Sequence, residues 1–378
     1  MGPLGILGGG QLGRMTLQAA VELGIDVVIG ERVARSPAAR LTDTSVVFAG
    51  GWDDAQALNA LAEAAPVITL ENEFVDAQVL RALQRRGATV WPAPDCVATV
   101  QDKLLQKQAL LRAELPVPEF AAVEQPETAA RLGDEWGWPI MLKARRDGYD
   151  GYGNALVHNA DEAVRAAQRL GWPNRQLYAE AYVAFERELA VLVVRGQHGE
   201  LVTYPTVETR QDPALHICRA VLAPADVPAP VADQAQEIAR GAVQAVDGVG
   251  AFGVELFLLP NAKVLINELA PRPHNSAHYS IEACLTSQFS NHVRAVLGLP
   301  LGSPAMREGA AVMVNLLGAG RGALPDLASA LAVPQTFVHW YGKADDRPGR
   351  KLGHVTGLGS SVQGALECAQ RAADALGL

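Results

Sequence analysis

At 378 residues, with 49% apolar and 19% charged side chains, the chain has the make-up of a folded protein too long for one hydrophobic core, so two or three domains are expected. A net charge of −9 excludes an extended nucleic-acid surface, although a local basic pocket for a phosphate remains compatible with it. Cys96, Cys218, Cys284 and Cys368 lie far apart without Cys-x-x-Cys spacing, which excludes a disulfide framework and structural zinc. With no basic leader and no apolar run of about 18 residues, the expected setting is cytoplasmic, with no membrane and no nucleic acid as partner.

Residues 3–91 alternate short apolar strands with helices: Leu4–Leu7, a helix from Leu12 to Leu23, Asp26–Ile29, an Ala-rich helix after Asp53, Val67–Leu70, a helix to Arg86, and Ala88–Trp91. That alternation predicts βαβ units and a parallel sheet, here assigned to a domain over 1–95. Gly8-Gly9-Gly10-Gln11-Leu12-Gly13 falls at the first strand-to-helix turn, and Glu31 ends the second strand. A dehydrogenase would place a dinucleotide there. The same glycines equally serve tight packing, or the approach of another substrate to the helix N-terminus.

A helix carrying Lys103 must stop before Pro116-Val-Pro118. From there to about residue 303 the pattern becomes α+β. Lys143 ends an apolar strand and precedes a loop with glycines at 148, 151 and 153, whose amides suit phosphates. Glu180 and Glu188 flank Tyr182-Val183, a combination suited either to a ribose and a purine or simply to solvent. Gly253–Leu259 and Lys263–Leu269 predict a hairpin with Asn261-Ala262 as a two-residue loop, which sets Glu255 opposite Glu268. Two like charges about 5 Å apart across a ladder ask for a cation. Mg²⁺ held by two carboxylates and substrate phosphates fits. Arg272, His274, Asn275 and Ser276 crowd after this strand, stiffened by the prolines on either side of Arg272. Residues 304–378 predict a small C-terminal β-rich domain in which Lys343, Arg350 and Lys351 form a second basic group, suited to a phosphate monoester.

The segments Leu7–Arg14, Thr69–Glu73, Gln101–Lys103, Gly148–Gly153, Asn267–Ser276, His339–Lys343 and Arg347–His354 together resemble the ATP-grasp superfamily, and within it the 5-(carboxyamino)imidazole ribonucleotide synthases. The resemblance implies an α/β and α+β chain: a Rossmann-like parallel sheet, a two-subdomain ATP-grasp fold over 96–303, and the C-terminal domain. It implies ATP-dependent carboxylation of aminoimidazole ribonucleotide by bicarbonate through carboxyphosphate, with Mg²⁺ on Glu255 and Glu268, in a homodimer. By the same resemblance Lys103, Lys143, Gly148, Asp150, Gly151, Gly153 and Asn267 meet ATP, Glu180 and Val183 its adenine, and Glu188 its ribose. Gln11, Leu12, Tyr149, Asn275, Ser276, Lys343, Arg350 and Lys351 meet the ribotide. Arg272 supports phosphoryl transfer, and His274, Tyr149 and Glu73 are alternatives as general base. Ala270 stands where many ATP-grasp enzymes carry a third metal ligand, an asparagine. A formate-using glycinamide ribonucleotide transformylase, which has a similar Pro-Arg-Pro-His string, is the rival within the superfamily.

Overall fold

A computed structural model describes residues 2–148, 153–212, 217–322 and 325–377. Leu4–Leu7 and Val67–Leu70 are apolar on both faces because they are central strands of a parallel sheet covered by helices on either side. The sheet runs Ser45–Val47, Val27–Glu31, Leu4–Leu7, Val67–Leu70, Thr89–Trp91, and its first crossover helix spans Gln11–Glu22. Only the half-exposed edge strand Ser45–Val47 lacks a counterpart in the sequence reading, since three residues carry no periodicity.

A four-stranded antiparallel sheet follows, in the order Phe120–Val123, Leu177–Ala181, Ile140–Ala144, Asn154–Val157. The third sheet has nine strands. It begins at Val264–Ala270, passes through Gly250–Leu258 and Arg187–Arg195, and continues into Ala310–Leu317, Lys351–Gly359 and Thr336–Trp340. The C-terminal strands therefore extend the same sheet that carries the Glu255–Glu268 hairpin.

The free edge of Val264–Ala270 is closed by side chains of the helix Lys103–Arg112. Gln106 donates to Leu269 O at 3.2 Å and accepts from Leu269 N at 2.9 Å, while Lys107 Nζ donates to Ile266 O at 3.0 Å. Covering an edge in this way blocks further strand addition, and it also ties a lysine-bearing helix to the hairpin.

His292 joins the first sheet to the third. Its Nδ1 accepts from Ala251 N at 3.0 Å, which leaves the proton on Nε2 to meet Thr69 Oγ1 at 2.8 Å. Thr69 lies two residues before Glu71, and Ala251 four before Glu255. Burial pushes His292 down to about 3; His274 is also at about 3, by burial and the nearby Arg272, and His278 and His354 are driven down by burial and then by neighbouring histidines. All four stay neutral in the fold and gain a proton only on unfolding. Their contribution to stability is whole above the ordinary histidine value of 6.5 and is lost as pH falls toward 3. Each can contribute up to about 1.4 kcal/mol per pH unit. The Glu255 carboxyl, raised to about 8, and the Glu71 carboxyl, raised by burial, act in the opposite sense, but they are two groups against four. Thermal unfolding of the ligand-free protein should therefore show a midpoint that drops steeply between about pH 6 and pH 5. A flat midpoint there would mean that these imidazoles are not buried neutral.

Candidate active site

All three sheets contribute to one cavity of about 640 Å³. The hairpin supplies its floor. Glu255 pairs with Glu268, as expected from the sequence, but the route differs. The turn is one residue longer than expected: Leu259 N meets Lys263 O, and Ala262 takes a left-handed φ of 63°. Pairs nearest the turn, such as Leu258 with Val264, are one residue out of step with the Glu pair. A β-bulge at Asn267 makes up the difference. At a bulge two successive residues of one strand oppose a single partner, so Asn267 and Glu268 both reach the cavity.

Glu255 is pushed up to about 8 by burial, then by Glu268 and Glu188. A hard cation would relieve that, and Lys103 Nζ already sits 2.9 Å from Glu268 Oε2. Among the described residues no group of three or more His, Cys, Asp or Glu could hold a metal, and Ala270 is 6% exposed in the core opposite Gly253. The two carboxylates thus fit a Mg²⁺ ion whose remaining ligands are phosphate oxygens and water.

Lys103 opens its helix because Asp102 caps it, accepting from Leu104 N at 3.1 Å and Leu105 N at 3.3 Å. Arg145, just beyond the strand Ile140–Ala144 that carries Lys143, grips Asp102 through two bonds of 2.9 and 2.6 Å, so the two cavity lysines share one anchor. Burial works against the charge on Lys103, but Glu268, Glu73 and Glu255 outweigh it and raise its pKa. Glu180 is buried between Lys143 Nζ at 2.5 Å and Lys107 Nζ at 3.1 Å. Burial opposes its ionisation, yet the two lysines hold it at about 2. Its carboxylate is therefore taken by the two lysines, and Glu180 is not among the residues of the apolar pocket that Tyr182, Val183 and Leu265 line. Val183 is placed there, and Glu188, which accepts from Gln211 at 2.7 Å, lines the main cavity.

Arg272 is held by Glu73 in a two-pronged ion pair, with its Nη2 2.9 Å from Glu73 Oε1. Burial opposes ionisation of Glu73, and Arg272 overcomes it. His274 packs over Gly253, where a Cβ would lie 2.4 Å from the ring, and it contacts Ser276 Oγ at 2.9 Å through Nδ1. At about 3 its pKa lies far below what a proton acceptor near neutral pH needs. Asn275 exchanges two amide hydrogen bonds with Asn315, at 2.9 and 2.7 Å, which docks this loop on the C-terminal strands.

The glycine-rich turn is filled from inside the protein. Gly9 N donates to Glu31 Oε2 and Gly10 N to Glu71 Oε2, both at 2.7 Å, and a Cβ on Gly10 would lie 2.1 Å from Glu71 Oε1. The amides that a pyrophosphate would need are thus taken by carboxylates, against the dehydrogenase reading; Gln11 and Leu12 line the cavity beyond them. Lys343, Arg350 and Lys351 converge on the same cavity, with Arg350 paired to Asp345. Burial, then the charge of Arg350, lowers Lys343 to about 8.

Of the expected site residues, Tyr149, Asp150 and Gly151 lie outside the described residues, and Gly148 lines the cavity while the Gly153 carbonyl accepts from Ala144 N. Sequence reasoning overlooked Glu71, Asp102, Lys107, Arg145 and Gln211. The one available signal was the Gln101-Asp-Lys103 string, which reads as a helix N-cap.

Residues 1–101 match the ribonucleotide synthetase preATP-grasp domain, 108–289 the ATP-grasp domain, and 311–367 the phosphoribosylaminoimidazole carboxylase C-terminal domain. The N5-carboxyaminoimidazole ribonucleotide synthase of Synechococcus elongatus is 41% identical over 98% of this chain and 92% of its own length. The chloroplastic phosphoribosylaminoimidazole carboxylase of Vigna aconitifolia is 40% identical over 95% of this chain, which spans 64% of that longer protein. The N5-carboxyaminoimidazole synthase from Aspergillus clavatus, solved with ADP and 5-aminoimidazole ribonucleotide, superposes with a TM-score of 0.88 at 37% identity, covering 99% of this chain and 98% of that one. Fold and site together define an ATP-grasp protein. More narrowly, the chain belongs to the N5-carboxyaminoimidazole ribonucleotide synthase family.

Proposed function

We propose that the protein is an ATP-dependent carbon–nitrogen ligase that carboxylates the exocyclic amine of aminoimidazole ribonucleotide with bicarbonate, releasing ADP and phosphate, in purine biosynthesis. The carrying observation is that one cavity gathers Lys103, Lys143, the Glu255–Glu268 pair, Arg272 and the basic group Lys343, Arg350 and Lys351. A nucleotide, a small acid and a phosphate monoester thereby find complementary charge side by side.

In this reading a bicarbonate oxygen attacks the γ-phosphorus of ATP, ADP leaves, and carboxyphosphate forms. Lys103, Lys143 and Arg272 stabilise the charge that develops, since phosphoryl transfer depends on positioning and electrostatics. Mg²⁺, held by Glu255 and Glu268, would neutralise phosphate oxygens. The amine nitrogen then bonds to the carboxyl carbon, phosphate departs, and the amine proton passes to an acceptor. Glu73 is ionised and lines the cavity with its carboxylate engaged by Arg272, and His274 serves as a neutral hydrogen-bond partner of Ser276. Val183 borders the adenine pocket, and the ribotide phosphate sits on the C-terminal basic group. A homodimer in the cytoplasm accords with the family resemblance, and among the described residues no helix is long and apolar enough to cross a membrane.

ADP release with MgATP and bicarbonate tests the reading directly. Strong stimulation by aminoimidazole ribonucleotide, with one carboxylated product per ADP, is expected; turnover with formate and glycinamide ribonucleotide instead would overturn it. Lys343 adds a pH signature. It is charged below about 8 and neutral above, so kcat/KM for the ribotide, which reports the free enzyme, should decline as pH rises through that value, while kcat/KM for ATP holds level. A ribotide profile flat to pH 9.5 would remove Lys343 from the phosphate site.

A further inference from the structure

Lys343 follows a turn, and something must keep its ammonium aimed into the cavity. The chain before it is gripped on two sides. Tyr341 N donates to Leu352 O at 2.9 Å, and Arg40 Nη1 reaches from the first domain to Gly342 O at 3.1 Å, where the backbone turns with φ of 69°. Tyr341 is 2% exposed and belongs to the buried apolar cluster that also holds Leu12, Ala38 and Phe289. Lys343 Nζ lies over that ring, 5.6 Å from its centroid. The Tyr341 hydroxyl lies 2.8 Å from His354 Nδ1. His354 is itself immobilised: it stacks on His339 with centroids 4.3 Å apart and planes 13° from parallel, and His339 Nε2 meets Glu282 Oε1 at 2.6 Å.

We propose that Tyr341 is a positioning residue for ribotide recognition: pinned through its hydroxyl to the His354–His339–Glu282 stack, it presents its ring face to Lys343 and so sets where that ammonium meets the substrate's phosphate. This rests on the reading of Lys343 as a phosphate-binding residue. A ring face attracts an ammonium, and a ring fixed at its far end costs little further ordering when the substrate arrives. The phenol oxygen has His354 as its one partner among the described hydrogen bonds.

The test compares Tyr341→Leu, Tyr341→Phe, Lys343→Met and the double variant Tyr341→Leu/Lys343→Met in the full-length enzyme, using KM for aminoimidazole ribonucleotide and for ATP. Tyr341→Leu should raise the ribotide KM about tenfold and leave the ATP KM within about twofold. Tyr341→Phe keeps the ring and its packing but loses the pin, and should raise the ribotide KM about threefold. Because Tyr341 acts through Lys343, the double variant should be no worse than Lys343→Met alone, a non-additivity that loss of packing would not give. If Lys343→Met raises the ribotide KM while both Tyr341 variants leave it unchanged, the positioning role falls and the phosphate site stands. If Tyr341→Leu raises both KM values equally, Tyr341 is only a packing residue. If Lys343→Met changes neither, the phosphate reading itself falls and takes this inference with it. Should the leucine variant not fold, the phenylalanine variant decides, and an unchanged ribotide KM overturns the proposal.

Discussion

Replacing Glu268 with glutamine should cut turnover about a thousandfold or more while leaving the fold intact, because the amide keeps the carboxylate's shape and discards the charge that a cation and its phosphates require. In the ligand-free protein the substitution removes the like charge facing Glu255 and also the partner of Lys103 Nζ at 2.9 Å. The two losses oppose each other. With Glu268 partly exposed, the net change is on the order of a kilocalorie per mole at most. Measured side by side, ADP release should collapse and the thermal midpoint should stay within a few degrees. Turnover within a fewfold of the parent enzyme would show that the paired carboxylates do not hold the metal.

Lys351→Ala should raise the KM for aminoimidazole ribonucleotide by about 10- to 100-fold, the equivalent of one charge-assisted hydrogen bond of about 1.5–3 kcal/mol. The KM for ATP should move by about twofold or less, since the apolar pocket beside Val183, proposed for the adenine, and Lys103 and Lys143 belong to other elements. Lys351 also bears electrostatically on Glu255 and His274, so a modest fall in kcat accompanies the change. Equal effects on the two KM values would sink the assignment of this basic group to the ribotide phosphate.

The parallel sheet was readable because each central strand is a short apolar run between helices of regular length, and the local motifs were readable because their residues are neighbours in the chain. What escaped were partnerships made only by folding. Lys107 and Glu180 are 73 positions apart by their numbers and come from a helix and a different sheet, so each alone reads as a solvated charge. Glu31 sits where a ribose-binding carboxylate would, and only the structure shows Gly9 N claiming it. The pairing of Glu255 with Glu268 was legible although its stated cause was not: a loop one residue too short and an unforeseen bulge compensated, and nothing in Val264-Leu-Ile-Asn-Glu-Leu-Ala270 marks position 267 as the extra residue. His274 looked like a base from its ordinary titration range, and burial beside Arg272 removed it from that range.

The bulge has a bearing on how this chemistry could be moved elsewhere. A regular ladder offers one side chain per two residues to any given face, so an idealised hairpin copied into a new scaffold would present Glu268 and turn position 267 toward the core. Transplanting the donor set therefore requires carrying the irregular strand whole, extra residue included, together with the edge contacts from Gln106 and Lys107 that tie it down. Trimming position 267 to tidy the strand would leave Val264 to Ile266 opposite the same partners and facing the same way, and would cost the cavity only the Asn267 side chain.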